Sequence, residues 1–205
     1  MKSYPSIDKD PRQDVHIYAF DKLDGSNIRA EWNPKKGFYK FGSRNQLIDV
    51  THKPLGEAVT LIKEKYEDHM AMVFKEQGWR EVVCFFEFLG PTSFAGYHNS
   101  SEEHSVTLFD VDVYRHGLLE PREFIKLFGH LDIPKVLYEG KANATFFEQV
   151  RTSSLPGVTS EGVVCKGAND KKTHMPILFK IKTRAWLDKL KAHCGSDDKL
   201  FTKLA

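Results

Sequence analysis

Four short segments carry charged side chains whose types and spacing could do chemistry. The first is K-L-D-G-S-N, which holds Lys22, Asp24, Gly25 and Asn27. An amine is a nucleophile only as the neutral base, so a lysine used that way needs neighbours that bring its pKa well below the free value of about 10.4. The second is V-V-C-F-F-E-F-L-G, where Glu87 stands inside an apolar strand pattern. A carboxylate there is costly to bury unless it meets a cation or strong donors. The third is S-E-G-V-V-C-K, with Glu161 at the mouth of a strand and Lys166 at its far end on the opposite face. The fourth is L-F-K-I-K-T, in which alternation sets Lys180 and Lys182 on one face and Phe179 and Ile181 on the other. Two adjacent ammonium groups repel; water tolerates them, and so does a polyanion such as triphosphate between them.

Each segment also has an ordinary reading. K-L-D-G-S-N suits a hairpin, with Gly25 at a positive-φ turn position and Lys22 in solvent. Glu87 could face water from an edge strand, and Lys180 with Lys182 could line a solvated sheet face.

The elements that must position these residues follow from pattern. VHIYAF (15–20), NIRAEW (27–32) and GFYKFGSR (37–44) read as strands, as do EVVCFFEFLG (81–90), SVTLFDVDVY (105–114), EGVVCK (161–166) and PILFKIKT (176–183). Residues 54–78 form the clearest helix: Leu55, Val59, Ile62, Tyr66, Met70, Val73 and Phe74 recur at helical spacing between Pro54 and Gly78. Shorter helices are expected over 121–131 and 144–151, and a last one from near Thr183 carries Trp186, Leu187 and Leu190. Strands dominate and short links outnumber helical crossovers, which predicts an α+β fold of mainly antiparallel sheets with flanking helices.

The ordered set K-x-D-G, F-x-E-F-x-G, E-G-V-V-x-K and K-I-K resembles the collinear motifs of covalent nucleotidyltransferases. That superfamily comprises the ATP-dependent RNA and DNA ligases and the messenger-RNA capping enzymes. The likeness runs from about Tyr18 to Thr183. DNA ligases and capping enzymes typically carry arginine at the sixth position of the first motif. Asn27 stands there instead, and K-L-D-G-S-N is similar to the RNA ligase branch, as is the Ser-Arg element in FGSRN (41–45). The chain therefore resembles the adenylyltransferase domain of an RNA ligase.

The resemblance implies a nucleotide cleft and a role for each residue. Lys22 would take AMP from ATP through a phosphoramidate bond, with Lys180 and Lys182 on the α-phosphate. Glu161 and Asn27 would hold a hydrated Mg2+ or Mn2+, Glu87 a ribose hydroxyl, and Phe109 of LFDVDV the adenine ring. Asp21 would lie near the base edge, Arg44 on an RNA 5′-phosphate, and Lys166 on nucleotide phosphate. AMP would pass to that 5′-phosphate before a 3′-hydroxyl seals the strand. A DNA nick-sealing enzyme of the same chemistry is one alternative; a nucleotide- or RNA-binding module without catalysis is another.

The rest of the chain bounds this reading. Its 205 residues suit one nucleotidyltransferase domain over 1–183, with 184–205 as a short helical extension and no room for an OB-fold. A formal net charge of +2 does not by itself announce a nucleic-acid binder. No apolar run approaches membrane-spanning length, and three cysteines without a C-x-x-C pair suit reduced thiols, so a soluble, intracellular, cytoplasmic protein is expected, of cellular or phage origin. Trp186, Lys189 and Lys191 either touch RNA or belong to a helix packed on the core, the latter preferred. The basic turn over 169–176 either reaches a phosphate backbone or is a solvated hairpin tip.

Overall fold

The strands that flank K-L-D-G, β1 (His16–Asp21) and β2 (Ser26–Asn33), pair in different sheets. The segment is thus a link between sheets, and the hairpin reading fails. The structure is a computed structural model that describes residues 1–90, 103–170 and 175–205. Its described residues divide into two compact units. One comprises 1–5, 25–90 and 103–133; the other comprises 6–24, 134–170 and 175–205. The antiparallel α+β architecture expected from pattern is the one found.

The first unit is built on six strands. Its order is β4 (Leu47–Ile48), β3 (Gly37–Ser43), β2, β5 (Val82–Leu89), β6 (Ser105–Val113) and β7 (Gly117–Leu118), with every pair antiparallel. Helix α1 (Gly56–Glu76) buries Ile62, Tyr66, Met70 and Phe74, the helical-spacing residues of the sequence. The Tyr66 ring packs on Phe86 of β5, and its hydroxyl donates to the carbonyls of Val106 and Asp132. A buried phenol keeps its polar end satisfied in this way. Helix α2 (Pro121–Phe128) adds Phe124 and Phe128, the latter edge-on to Phe74.

The second unit is built on four strands in the order β10 (Pro176–Lys182), β9 (Gly162–Asn169), β1 and β8 (Val136–Lys141). One face of this sheet is apolar. Ile17 and Ala19 of β1, Val163 and Cys165 of β9, and Phe179 and Ile181 of β10 pack with Phe146, Phe147 and Val150 of α3 (Ala144–Arg151). Helix α4 (Arg184–Cys194) is capped by Thr183, whose Oγ1 accepts from the Trp186 N–H. Its buried Trp186, Leu190 and Cys194 meet Phe201 and Leu204 of α5 (Asp198–Leu204), so Trp186 belongs to a packed cluster. Lys191 pairs with Asp198, also inside this cluster's two helices. The three cysteines are free and buried. The basic turn reads in part as strand, since β9 runs to Asn169, and its residues 171–174 lie outside the described ones.

Candidate active site

Period-two geometry decides where the lysines of the four-stranded sheet go. With Phe179 and Ile181 committed to the core, Lys180 and Lys182 must stand on the other face. The pairing brings three chain segments to one rung. Lys182 lies opposite Gly162 in the β9–β10 register, and the Lys22 N–H donates to the Gly162 carbonyl at 2.9 Å. Gly162 has φ +136°, and a Cβ there would stand 2.0 Å from the Ile181 carbonyl oxygen. Only glycine fits that crossing.

Glu161 closes the arrangement. Its carboxylate accepts from Lys22 Nζ at 2.7 Å through one oxygen and pairs with Lys182 Nζ at 3.1 Å through the other. The carboxylate is 5% exposed, Lys182 6% and Lys22 20%. So the group is a largely desolvated triad in which one anion serves two cations. Thr183 anchors it: its N–H donates to the Glu161 carbonyl and its hydroxyl to that of Ser160, while it caps α4.

Desolvation and mutual repulsion act on the remaining cation. Burial, and then the charges of Lys182, Lys22 and Lys9, lower the Lys180 pKa to about 8, with Glu161 opposing. Burial lowers that of Lys182 too, against the pull of Glu161 and with a smaller push from Lys22 and Lys9. Lys180 thus holds its proton less firmly than an ordinary lysine.

Two further predicted residues share this unit. Asp21 is buried, its two oxygens accepting from the N–H and the hydroxyl of Thr159 at 3.2 and 2.8 Å. Burial raises its pKa, while the Thr159 bonds and Lys135 work against the rise. Lys166 is buried on the lysine face of β9, opposite Tyr18, with its ammonium 4.9 Å above the Phe20 ring. That contact is a cation–π pair.

The six-stranded unit holds the other predicted residues. Asn27 and Glu87 are direct cross-strand partners in β2 and β5. β5 is flanked by β2 and β6, so the edge-strand reading of Glu87 fails. The Glu87 carboxylate accepts the Gly25 N–H at 3.0 Å. Gly25 is not among the positive-φ residues; a Cβ on it would lie 2.3 Å from the Phe88 carbonyl oxygen. Close approach, rather than a left-handed turn, is what requires glycine there. In the β5–β6 ladder the register moves from Phe85↔Asp110 to Phe86↔Leu108, which makes Phe109 the extra residue of a β-bulge. Bulges re-aim a side chain out of strict alternation. The half-buried Phe109 ring stacks on Phe85 at 6.2 Å, with Tyr4 edge-on at 5.0 Å. Arg44 is exposed between β3 and β4.

Three residues near these groups escape sequence reasoning. Tyr4 donates to the buried Asp110 at 2.8 Å, and burial followed by that carboxylate pushes its pKa well up. Thr159 holds Asp21, and Lys9 joins the cations around Lys180. Tyr4 and Lys9 precede the first strand, in a polar segment without periodicity. The D-K-D-P run over 8–11 offers charge but no spacing to a site.

Among the described residues no helix is long and apolar enough to cross a membrane, and no group of three or more His, Cys, Asp or Glu could cage a metal.

The antiparallel sheets with flanking helices match the ligase-type nucleotidyltransferase fold. The chain belongs to the RNA ligase family, whose profile matches residues 15–182. Among solved structures it is similar to the Naegleria gruberi RNA ligase. With PPi, that enzyme gives 19% identity and a TM-score of 0.63, covering 88% of this chain and 53% of its own. A mutant of it with ATP and Mn gives 17% identity and 0.63, covering 86% and 52%; another with AMP and Mn gives 17% and 0.62, covering 91% and 59%. At such identities the likeness is one of fold. The chain spans little more than half the length of these structures. No curated protein matches it significantly.

Proposed function

We propose that the chain is an ATP-dependent RNA ligase that self-adenylylates on Lys22, passes AMP to an RNA 5′-phosphate and joins that end to a 3′-hydroxyl. The observation that carries this reading is the Lys22–Glu161–Lys182 triad with Lys180 beside it. Lys22 Nζ forms the N–P bond to the α-phosphorus while the bond to the pyrophosphate oxygen breaks. As the ammonium of the triad, Lys22 has no free electron pair, so one proton must leave before attack, to Glu161 Oε2, already its hydrogen-bond acceptor; the nitrogen sheds a second to the departing pyrophosphate as the N–P bond forms. Negative charge that gathers on the phosphoryl oxygens meets Lys180 and Lys182.

A divalent cation suits the chemistry of the residues assigned to it: the Glu161 carboxylate and the Asn27 amide oxygen are both oxygen donors, the kind that a hard ion such as magnesium or manganese takes. Bound there, it would polarise phosphate oxygens and shield the carboxylate charge. In the same reading Phe109 stacks on adenine, Glu87 takes a ribose hydroxyl and Asp21, oriented by Thr159, lies near the base edge. Lys166 contacts nucleotide phosphate and Arg44 the RNA 5′-phosphate. The partners are ATP and RNA with 5′-phosphate and 3′-hydroxyl ends, and 184–205 forms a helical extension of the domain that ends at 183.

Incubation with α-labelled ATP or GTP and magnesium tests the first step. Label from ATP, acid-labile and lost in Lys22→Ala, is the expected result; no label from any nucleotide overturns it. Sealing of a nick with an RNA 3′-hydroxyl strand over an all-DNA nick is expected for the second half.

A further inference from the structure

Three lysines of the four-stranded unit converge on the last turn of α5. Lys9 Nζ donates to the Thr202 carbonyl at 3.0 Å, Lys182 to that of Leu204 at 2.7 Å and Lys180 to that of Ala205 at 3.1 Å. The last carbonyls of a helix have no intrahelical donors and carry the negative end of its dipole. They therefore offer ammonium groups what a phosphate offers: several oxygens with partial negative charge, close together. The segment bearing Lys9 is itself held on the edge of β10, since the Asp8 N–H donates to Leu178 and the Lys180 N–H to Asp8. Lys9 is thus fixed by backbone pairing at the same end of the unit as the two site lysines.

Glu161 is the carboxylate that pairs with Lys182. Lys180 feels the repulsion of Lys182, Lys22 and Lys9 against the pull of Glu161, and a polyanion would relieve that crowding. Helix α5 is seated by Phe201 and Leu204 against the Trp186 cluster and by the exposed Lys191–Asp198 pair.

Resting on the proposed nucleotide chemistry, we infer that Lys9 is a third phosphate-binding cation of this site, and that the end of α5 is a stand-in for phosphate oxygens which ATP must displace. In the nucleotide-free protein the helix keeps the lysines gathered; a triphosphate takes the same donors and sends α5 off its seat.

Hydrogen exchange of the 198–205 amides, followed in the full Lys22→Ala chain so that ATP stays intact, tests the displacement. ATP–Mg2+ and inorganic pyrophosphate are expected to speed that exchange at least tenfold, and adenosine to leave it unchanged. Equal or slower exchange with ATP overturns the inference. Lys9 is tested with α5 already loosened by Phe201→Asp: adding Lys9→Ala is expected to weaken ATP binding about tenfold, as for one charge-assisted hydrogen bond, without changing adenosine binding. Unchanged ATP affinity, or equal loss for adenosine, overturns the ligand role. Should covalent label form on Lys22 while both arms fail, this inference falls and the ligase reading stands; absence of label and of ATP binding removes both.

Discussion

The two sheets hold their candidate residues by different physics. On the four-stranded sheet the groups are ionic and interdependent: Lys22 and Lys182 share Glu161, and Lys180 feels every cation around it. On the six-stranded sheet they are held by packing and backbone: Phe109 by a bulge, Phe85 and Tyr4, and Glu87 by the Gly25 N–H. The first kind of site suits phosphate, whose charge it completes. The second suits a base and a sugar, which need shape and a few hydrogen bonds. The difference teaches that a single substitution should spread on the first sheet and stay local on the second.

Glu161→Ala should have the largest effect. It leaves Lys22 and Lys182 without their shared anion, and breaking a largely buried ion pair costs about 3 kcal/mol. Denaturant unfolding should register that loss, and self-adenylylation should fall at least 100-fold. If stability and labelling both stay near wild type, the triad is not the organising feature. Gly162→Ala should come next, at roughly 2–3 kcal/mol, because its Cβ meets the Ile181 carbonyl. An undisturbed unfolding midpoint would deny that crossing.

Phe109→Ala tests the other sheet. A base–aromatic stack contributes about 1–3 kcal/mol, so ATP and adenosine affinity should drop about tenfold while pyrophosphate affinity holds. A drop for pyrophosphate as well would erase the division between the sheets. The smallest effect expected is on pH. Lys180 loses its proton through about pH 8. Pyrophosphate affinity should therefore decline a few-fold as pH rises past that value, and Lys180→Arg should flatten the decline. A flat wild-type profile from pH 7 to about 9 would contradict the shift.

Much of this was legible beforehand, for local reasons. Alternation in L-F-K-I-K fixed which side chains enter the core, and Phe179 and Ile181 obey it. The helix over Gly56–Glu76 announced itself by spacing alone. Partner choice was less readable. K-L-D-G-S-N has turn composition, yet β1 pairs with β8 and β9 and β2 with β3 and β5, a non-local outcome that composition does not encode. Strand β8, V-L-Y-E-G-K, was missed because its side chains are exposed or half-buried at a sheet edge and show no apolar face. Lys9 was missed for the same want of pattern, being placed by backbone pairing to β10. The bulge that singles out Phe109 is a register event, visible only once β5 and β6 are aligned.

The central claim is that the Lys22 amine bonds covalently to a nucleotide. Peptide mapping by mass spectrometry after incubation with ATP and magnesium tests it most directly. An AMP adduct on Lys22, absent in Lys22→Arg, is the predicted result. An unmodified Lys22 in a folded chain that binds ATP would contradict it.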